Sequence, residues 1–372
     1  MLEELLERGG SDLHLTSGQA PRLRLDGELV LLRGWFAPDA RELRALLETV
    51  TPEANRDEFA ERNDTDFGFE LPGRGRFRVN LFRDHCGVCA VFRKIPLEIP
   101  SAEQLGLPPA VTALAQLPRG LVLVTGPTGS GKSTTLAAIL DRVNATRPDH
   151  ILTVEDPIEF VHPSKRCLVH QREVGTHTAS FARALRAALR EDPDVVLVGE
   201  MRDLETTRVA IETAETGHLV FGTLHTTSAA ATVERLINQY PEAEQGQIRL
   251  MLSGSLKAVV AQTLLKRNGG GRVAAYEVLL VTPAIANLIR EGKVFQIPSA
   301  MQTGRGRGMA LLDDSLLALV RDGVVGADDA LAKANDRTEL GNRLRAADLL
   351  GDPVPADEAE AVREPTPLRR AG

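Results

Sequence analysis

The sequence predicts an α/β domain preceded by a smaller α+β domain, and three observations predict it. Residues 126–133 read Gly-Pro-Thr-Gly-Ser-Gly-Lys-Ser between an apolar run and a helix-forming run. Beyond residue 118, short apolar stretches alternate with helical ones, the pattern of a largely parallel sheet with helices on both faces. Between residues 96 and 118, Pro96, Pro100, Pro108, Pro109 and Pro118 interrupt any regular element, as a connection between two bodies would. The divisions that follow are a domain at 1–95, an interdomain linker at 96–118, a domain with C-terminal helices at 119–336, and a tail at 337–372.

The first domain shows strand-like alternation in Leu23-Arg-Leu-Asp-Gly-Glu-Leu-Val and in Gly75-Arg-Phe-Arg-Val-Asn-Leu-Phe, around a helical stretch near Arg41 to Val50. Cys86 and Cys89 form one Cys-x-x-Cys with no second pair to complete a tetrahedral zinc site, so both read as ordinary strand residues. With Cys167 as the third cysteine, no disulfide framework is available.

In the second domain, Leu121 to Thr125 leads into the glycine-rich loop and Thr134 opens the run Thr-Thr-Leu-Ala-Ala-Ile-Leu, so the loop has the strand-loop-helix setting that a phosphate-binding loop needs. Gly126, Gly129 and Gly131 allow backbone conformations closed to other residues; with Pro127, Thr128 and Ser130 they bring successive N–H groups toward phosphate oxygens at the positive end of a helix. Lys132 reaches the outer phosphates, and Ser133 is the candidate ligand for Mg²⁺. These residues predict ATP and Mg²⁺ as cofactors.

Four predicted strands, Leu121 to Thr125, His150 to Val154, Val195 to Gly199 and Leu219 to Leu224, are each followed at once by polar chemistry: the loop, Glu155-Asp156, Glu200 and His225. In an open parallel sheet the ligand sits at the carboxyl ends of the strands, so these groups converge on one edge. Glu200 stands where a carboxylate would orient or deprotonate an attacking water, and His225 where an imidazole would sense the terminal phosphate. His218 precedes His225 by seven residues in an extended strand, roughly 23 Å at 3.3 Å per residue, so one phosphate cannot meet both. His218 therefore reads as structural or as part of a subunit contact.

Taken together, these stretches resemble the PilT family of type IV pilus retraction ATPases, among the secretion-type hexameric ATPases. The matching segments are Ser11-Asp-Leu-His-Leu, the phosphate loop, the acidic box Thr153-Val-Glu-Asp-Pro-Ile-Glu-Phe160, the atypical Walker B stretch Arg186 to Asp203, and the histidine box Thr213 to Thr226. They span residues 9 to about 325. The resemblance implies a PAS-like N-terminal domain, a RecA-like ATPase domain and a homohexameric ring that drives pilus retraction and twitching motility. It implies Glu200 as the catalytic glutamate, Glu155 and Asp156 as the acidic box, and His218 and His225 as the histidine box. It also implies arginines supplied by the N-terminal domain to nucleotide near a subunit interface. Among Arg76, Arg78, Arg83 and Arg93, Arg78 and Arg93 fit that pattern best, with solvated strand arginines as the other reading. The implied partner is the inner-membrane platform protein of the pilus machine, with membrane contact only by docking there and a cytoplasmic location at the pilus base.

Two features place the chain within that group. Pilus-extension and type II secretion ATPases typically carry a four-cysteine insertion after the histidine box and extra N-terminal domains; here Leu265 and Tyr276 are separated by a short cysteine-free stretch, and the sequence starts almost at the PAS-like domain. The retraction family's Ala-Ile-Arg-Asn-Leu-Ile-Arg-Glu motif appears as Ala284-Ile-Ala-Asn-Leu-Ile-Arg-Glu291, with Ala286 in place of the first arginine. That departure bears on mechanical coupling more than on hydrolysis.

The 372-residue length suits two or three domains, and the net charge of −7 argues against binding nucleic acid or anionic membrane by bulk charge. No apolar leader or membrane-length run occurs, which predicts a soluble cytoplasmic protein. Arg183, Arg186 and Arg190 share one helical face and read as solvated, and the acidic, proline-bearing stretch from Arg337 onward predicts a flexible tail. A RecA-type nucleic-acid motor and a non-hydrolysing nucleotide-binding regulator are the alternatives from other classes; a basic groove would mark the first, and absent turnover the second.

Overall fold

A computed structural model describes residues 1–25, 27–95 and 98–350. Six strands form the first sheet: β1 (Asp12–Thr16), β2 (Gln19–Leu25), β3 (Glu28–Leu31), β4 (Asp64–Leu71), β5 (Gly75–Asp84) and β6 (Gly87–Ile95). They pair antiparallel in the order β3-β2-β1-β6-β5-β4. Helices α1 (Leu2–Glu7), α2 (Ala40–Glu48) and α3 (Glu53–Arg62) cover it: Leu5, Leu43, Leu47 and Phe59 meet Leu13, Phe77, Val79 and Phe92 in one buried cluster. Asp39 starts α2 by accepting the N–H groups of Arg41 and Glu42, while Glu42 reaches back to the Asp39 N–H, a complete capping box. Cys89 lies buried on β6, but Cys86 is an exposed turn residue and not a strand residue. The Asp84 carboxylate accepts the backbone N–H groups of Cys86 and Gly87, and that local turn outcompetes the ladder.

The second sheet contains β7 (Gly120–Thr125), β8 (His150–Glu155), β9 (Leu168–Glu173), β10 (Val195–Val198), β11 (Leu219–Leu224), β12 (Leu256–Lys266) and β13 (Arg272–Leu280), ordered β13-β12-β7-β11-β10-β8-β9. All pairings are parallel except the β12–β13 hairpin. Every residue of β7 and β11 is buried, because helices lie on both faces. On one face α4 (Pro109–Thr112) and α5 (Lys132–Thr146) pack Val111, Leu136, Ile139 and Val143 against Val122, Val124 and Phe221. The other face carries α6 (Phe181–Ala188), α7 (Leu204–Glu215), α8 (Ala229–Asn238), α9 (Glu242–Ser255) and α10 (Pro283–Arg290), with Val209, Leu236, Leu252, Ile285 and Ile289 buried together.

The linker expected at 96–118 does not run free of this core. Pro96 and Leu97 lie outside the described residues, but Ala102, Leu107, Val111, Leu114 and Ala115 are buried in the same cluster as α5. Proline breaks regular structure there without removing the apolar side chains that dock the segment.

The tail expected from Arg337 is likewise corrected over its first part. After α11 (Ile297–Thr303), α12 (Leu312–Arg321) and α13 (Ala327–Leu331), residues Arg337–Ala346 form α14, capped by the Asp336 carboxylate on the Glu339 N–H. Leu340 and Leu344, four residues apart on one face, are fully buried against Leu312, Leu316 and Leu331. Two apolar side chains in a polar stretch sufficed, a signal too sparse for composition to show. The rest of the expected tail, 351–372, lies outside the described residues. Buried Glu277 on β13 ties the region together by accepting the N–H groups of Ala229 and Leu312 and the Asn335 amide. Replacing Leu340 by Ala should therefore cost about 2–5 kcal/mol, while Arg337→Ala on the exposed side should stay within about 0.5 kcal/mol. Urea unfolding of the two variants checks this, and equal small effects would contradict the packing of α14.

Candidate active site

Parallel pairing ends β7, β11, β10 and β8 side by side at their carboxyl termini, with Thr125 opposite Leu224, Val198 opposite Gly222, and Val154 opposite Val198. The loop Gly126–Gly131 leaves β7 and delivers Lys132 and Ser133 as the first residues of α5. Gly126 has φ +143°, and a Cβ there would lie 2.2 Å from the Gln262 carbonyl and 2.6 Å from Ser130 Oγ. No other residue fits that approach. Gln262 on β12 also donates its side-chain amide to the Ser130 carbonyl at 2.7 Å, holding the loop from below. Lys132 Nζ donates to the carbonyls of Gly126 at 2.8 Å and Pro127 at 3.2 Å, which folds the ammonium back over the loop. Burial lowers the Lys132 pKa, opposed by the negative charges of Glu200 and Glu159.

Glu200 and His225 leave neighbouring strands, and the ring Nε2 meets the Glu200 carboxylate at 2.7 Å. Two hydrogen bonds between the strand ends accompany that contact: the Thr223 side-chain Oγ1 donates to the Gly199 carbonyl at 2.5 Å, and the Met201 backbone N–H donates to the Thr223 carbonyl at 3.0 Å. Arg202 also reaches Glu200, at 2.5 Å. Burial raises the Glu200 pKa, but the hydrogen bonds from Arg202 and His225 outweigh it and hold the carboxyl below its ordinary range. Glu200 is thus ionised at neutral pH. His218 sits at the other end of β11, with Nδ1 against the Thr213 carbonyl at 3.0 Å and Thr216 Oγ1 at 3.2 Å, away from this edge.

Glu155 ends β8 beside the loop and shares a cavity of about 30 Å³ with Ser133, Gly199 and Thr223. Burial pushes its carboxyl up to about 7, against hydrogen bonds from Thr153 Oγ1 at 2.6 Å and Gln171 Nε2 at 3.1 Å, both to Oε1. Asp156 is exposed beyond it. Ser133 at the helix start and this carboxyl supply hard oxygen donors of the kind Mg²⁺ takes, and the positive-φ glycines form a cradle suited to phosphate.

The N-terminal arginines are placed differently. Arg78 Nε lies 3.5 Å from Asp66, and Arg93 Nε donates to Asp12 at 2.8 Å, both within their own sheet. Arg76 instead reaches Glu173 at the end of β9, at 3.7 Å. Arg183 and Arg186 are exposed on α6; Arg190 falls past its end. Sequence reasoning missed Arg202, Gln171 and Gln262. Arg202 lay within the Walker B stretch, two residues past Glu200, and was a readable signal; the two glutamines carry none.

A family model for type II/IV secretion system proteins matches residues 1–269. The chain is 54% identical over 329 residues to the type IV pilus retraction ATPase PilT of Pseudomonas aeruginosa, covering 88% of this chain and 95% of that protein. It is 50% identical over 339 residues to a twitching motility protein of Neisseria gonorrhoeae, covering 89% and 90%. A crystal structure of the pilus retraction motor PilT with bound ADP superposes with a TM-score of 0.86 at 46% identity, covering 91% of this chain and 97% of that one.

The Glu155 carboxyl makes stability depend on pH. Its folded-state pKa is raised from 4.5 to about 7, so its contribution is full below about 4.5 and is lost as pH rises through about 7. Glu155→Gln, which never ionises, should gain stability relative to the parent protein between about pH 5 and 8, by up to about 3 kcal/mol. Urea midpoints measured across that range without nucleotide or divalent metal check this; parallel pH profiles would contradict it.

Proposed function

The chain belongs to the PilT family of type IV pilus retraction ATPases, within the type II/IV secretion system proteins, and from that premise we propose that it is an ATP-hydrolysing motor that drives pilus retraction. The observation that carries this reading is the Glu200–His225 hydrogen bond on the strand edge next to the phosphate loop. The depressed pKa keeps Glu200 ionised, so the carboxylate can orient the attacking water and accept its proton. The hydrogen bonds from Arg202 and His225 that depress it must be loosened for it to act as a strong base. In this reading Lys132 exchanges the loop carbonyls for phosphate oxygens, Gly126 to Gly131 supply backbone N–H donors, and Thr134 lies in the first turn of α5, whose positive end faces them. Glu200 takes the proton of the attacking water. His225, hydrogen-bonded to it, couples the protonation of Glu200 to the end of β11. Ser133 would hold Mg²⁺, with Glu155 and Asp156 near it; the ion would neutralise charge on the phosphates.

The working unit we infer is a homohexameric ring. In it Arg78 and Arg93, both on the N-terminal sheet with largely exposed guanidinium groups, would exchange Asp66 and Asp12 for nucleotide held by a neighbouring subunit. An arginine brought to the phosphates by a domain movement would tie hydrolysis to mechanical work. His218, at the far end of β11, suits a subunit contact. No helix among the described residues is long and apolar enough to cross a membrane, so contact with the inner membrane would come by docking to the platform protein of the pilus machine on its cytoplasmic side.

Glu200→Gln should leave ATP affinity intact and lower turnover by at least about a hundredfold, because the amide cannot accept the proton. Lys132→Ala should weaken nucleotide binding itself. Steady-state turnover and fluorescent-nucleotide titration separate the two effects; near-normal hydrolysis by the Gln variant would remove Glu200 from the mechanism. Deleting the gene should abolish twitching and leave cells hyperpiliated.

Ala286 stands partly buried on α10, and Arg290, four residues on, is exposed at the end of that helix beside Asn287. With the motif's first arginine replaced, Arg290 is the nearest cation on that face. Arg290→Ala should keep ATPase activity within about threefold, under about 1 kcal/mol in the barrier, yet abolish retraction. Retraction that survives would take coupling away from this motif, and joint loss of both activities would assign the helix to the fold or the ring.

A further inference from the structure

His162 is buried, at 8% exposure, in the segment that follows the acidic box. It lines the cavity shared by Ser133, Glu155, Gly199 and Thr223. Its Nδ1 is enclosed and meets no hydrogen-bond partner among the described residues. Burial pushes its pKa down to about 4, and the nearby charges of Asp141 and Lys165 oppose one another and pair together at 2.7 Å, so the ring is neutral. A neutral buried imidazole still needs a partner for each nitrogen. The cavity offers about 30 Å³, room for one or two waters, and Ser133, Glu155 and Thr223 in its lining supply the polar partners that a retained water needs.

A second connection runs through Gln171. Its side-chain amide donates to Glu155 Oε1 at 3.1 Å and to the Phe160 carbonyl at 2.8 Å, while its own carbonyl oxygen accepts the His162 N–H at 2.7 Å. One glutamine thus holds both the carboxyl and the backbone that carries the histidine. Both side-chain donors to Glu155 use Oε1, so neither restrains Oε2.

We propose that His162 is a positioning residue for Glu155: an ordered water in this cavity bridges His162 Nδ1 to the Glu155 carboxyl and holds that carboxyl toward Ser133 and the ends of β10 and β11. The proposal rests on the ATPase reading above and adds to it a residue that contacts no substrate. It explains why a histidine lies beside the apolar side of this cavity, formed by Leu136, Ala137, Phe160 and Leu197.

Asparagine and glutamine distinguish the two ring nitrogens, since the Asn amide falls near Nδ1 and the Gln amide near Nε2. His162→Asn should retain kcat within about threefold, whereas His162→Gln and His162→Phe should lose about tenfold or more in kcat with KM within about twofold, the scale seen when an outer partner of a site is removed. In a Glu155→Gln background the Phe substitution should cause little further loss, because both act through one group. Equal kcat in all three single variants, or a loss carried by KM alone, overturns the proposal. Crystals of the unsubstituted protein at a resolution that shows ordered water provide the second test, independent of turnover. Density within hydrogen-bond distance of both Nδ1 and the Glu155 carboxyl is expected, and a dry cavity overturns the proposal even if no variant folds. If the unsubstituted protein fails to hydrolyse ATP, the ATPase reading falls while the water remains decidable in the crystal.

Discussion

Parallel pairing in the second sheet is the constraint on which every functional contact rests. Because β7, β11, β10 and β8 run the same way and stay in register to their carboxyl ends, the residue that leaves each strand emerges at one level. Adjacent parallel strands are about 4.8 Å apart, so side chains just beyond two neighbouring ends are within hydrogen-bond reach. Glu200 and His225 are 25 residues apart in sequence and 2.7 Å apart in space for this reason. The ladder is rigid because both faces are sealed, one by α4 and α5 and the other by α6 to α10.

On that edge, polar groups are held in opposite electrostatic states by their surroundings. Glu200 has two cationic or donor partners and is kept ionised, while Glu155, which lines the same cavity as Ser133, has only neutral donors and is pushed toward protonation. Two carboxyls in one site with divergent proton affinity can serve different purposes, one as a base and one as a neutral or metal-facing group. Gly199, just before Glu200, lets the two strand ends approach closely: a Cβ there would sit 3.1 Å from the Glu155 Cα.

The peripheral pieces are tied to this core by few but buried groups. Glu277 joins the start of α8 to the start of α12 and to Asn335 through three hydrogen bonds in the interior. Arg76 and Glu173 link the first sheet to the end of β9, whose carboxylate also accepts the Ile158 N–H. The N-terminal sheet is thus in contact, through Glu173, with backbone inside the acidic box. Glu173 in turn pairs in register with Glu155 across the β8–β9 ladder.

Legible in the sequence were the features that depend on local periodicity or on a backbone conformation only glycine can adopt. The phosphate loop, the four core strands and their polar ends were of this kind, since apolar runs and Gly126 at φ +143° leave few alternatives. Tertiary structure alone decided the partnerships. Gln262 supports the loop from 132 residues away, and Gln171 and Arg202 select which carboxyl oxygen is held, none of it marked by pattern or composition. The same holds for α14 and for the segment near Val111, where a handful of apolar side chains find a preformed surface and override polar or proline-rich surroundings. The physical reason is common to all of them. Secondary structure follows from interactions between near neighbours along the chain, whereas hydrogen-bond partners, burial and shifted proton affinities follow from which distant segments the packed core brings within about 3 Å of one another.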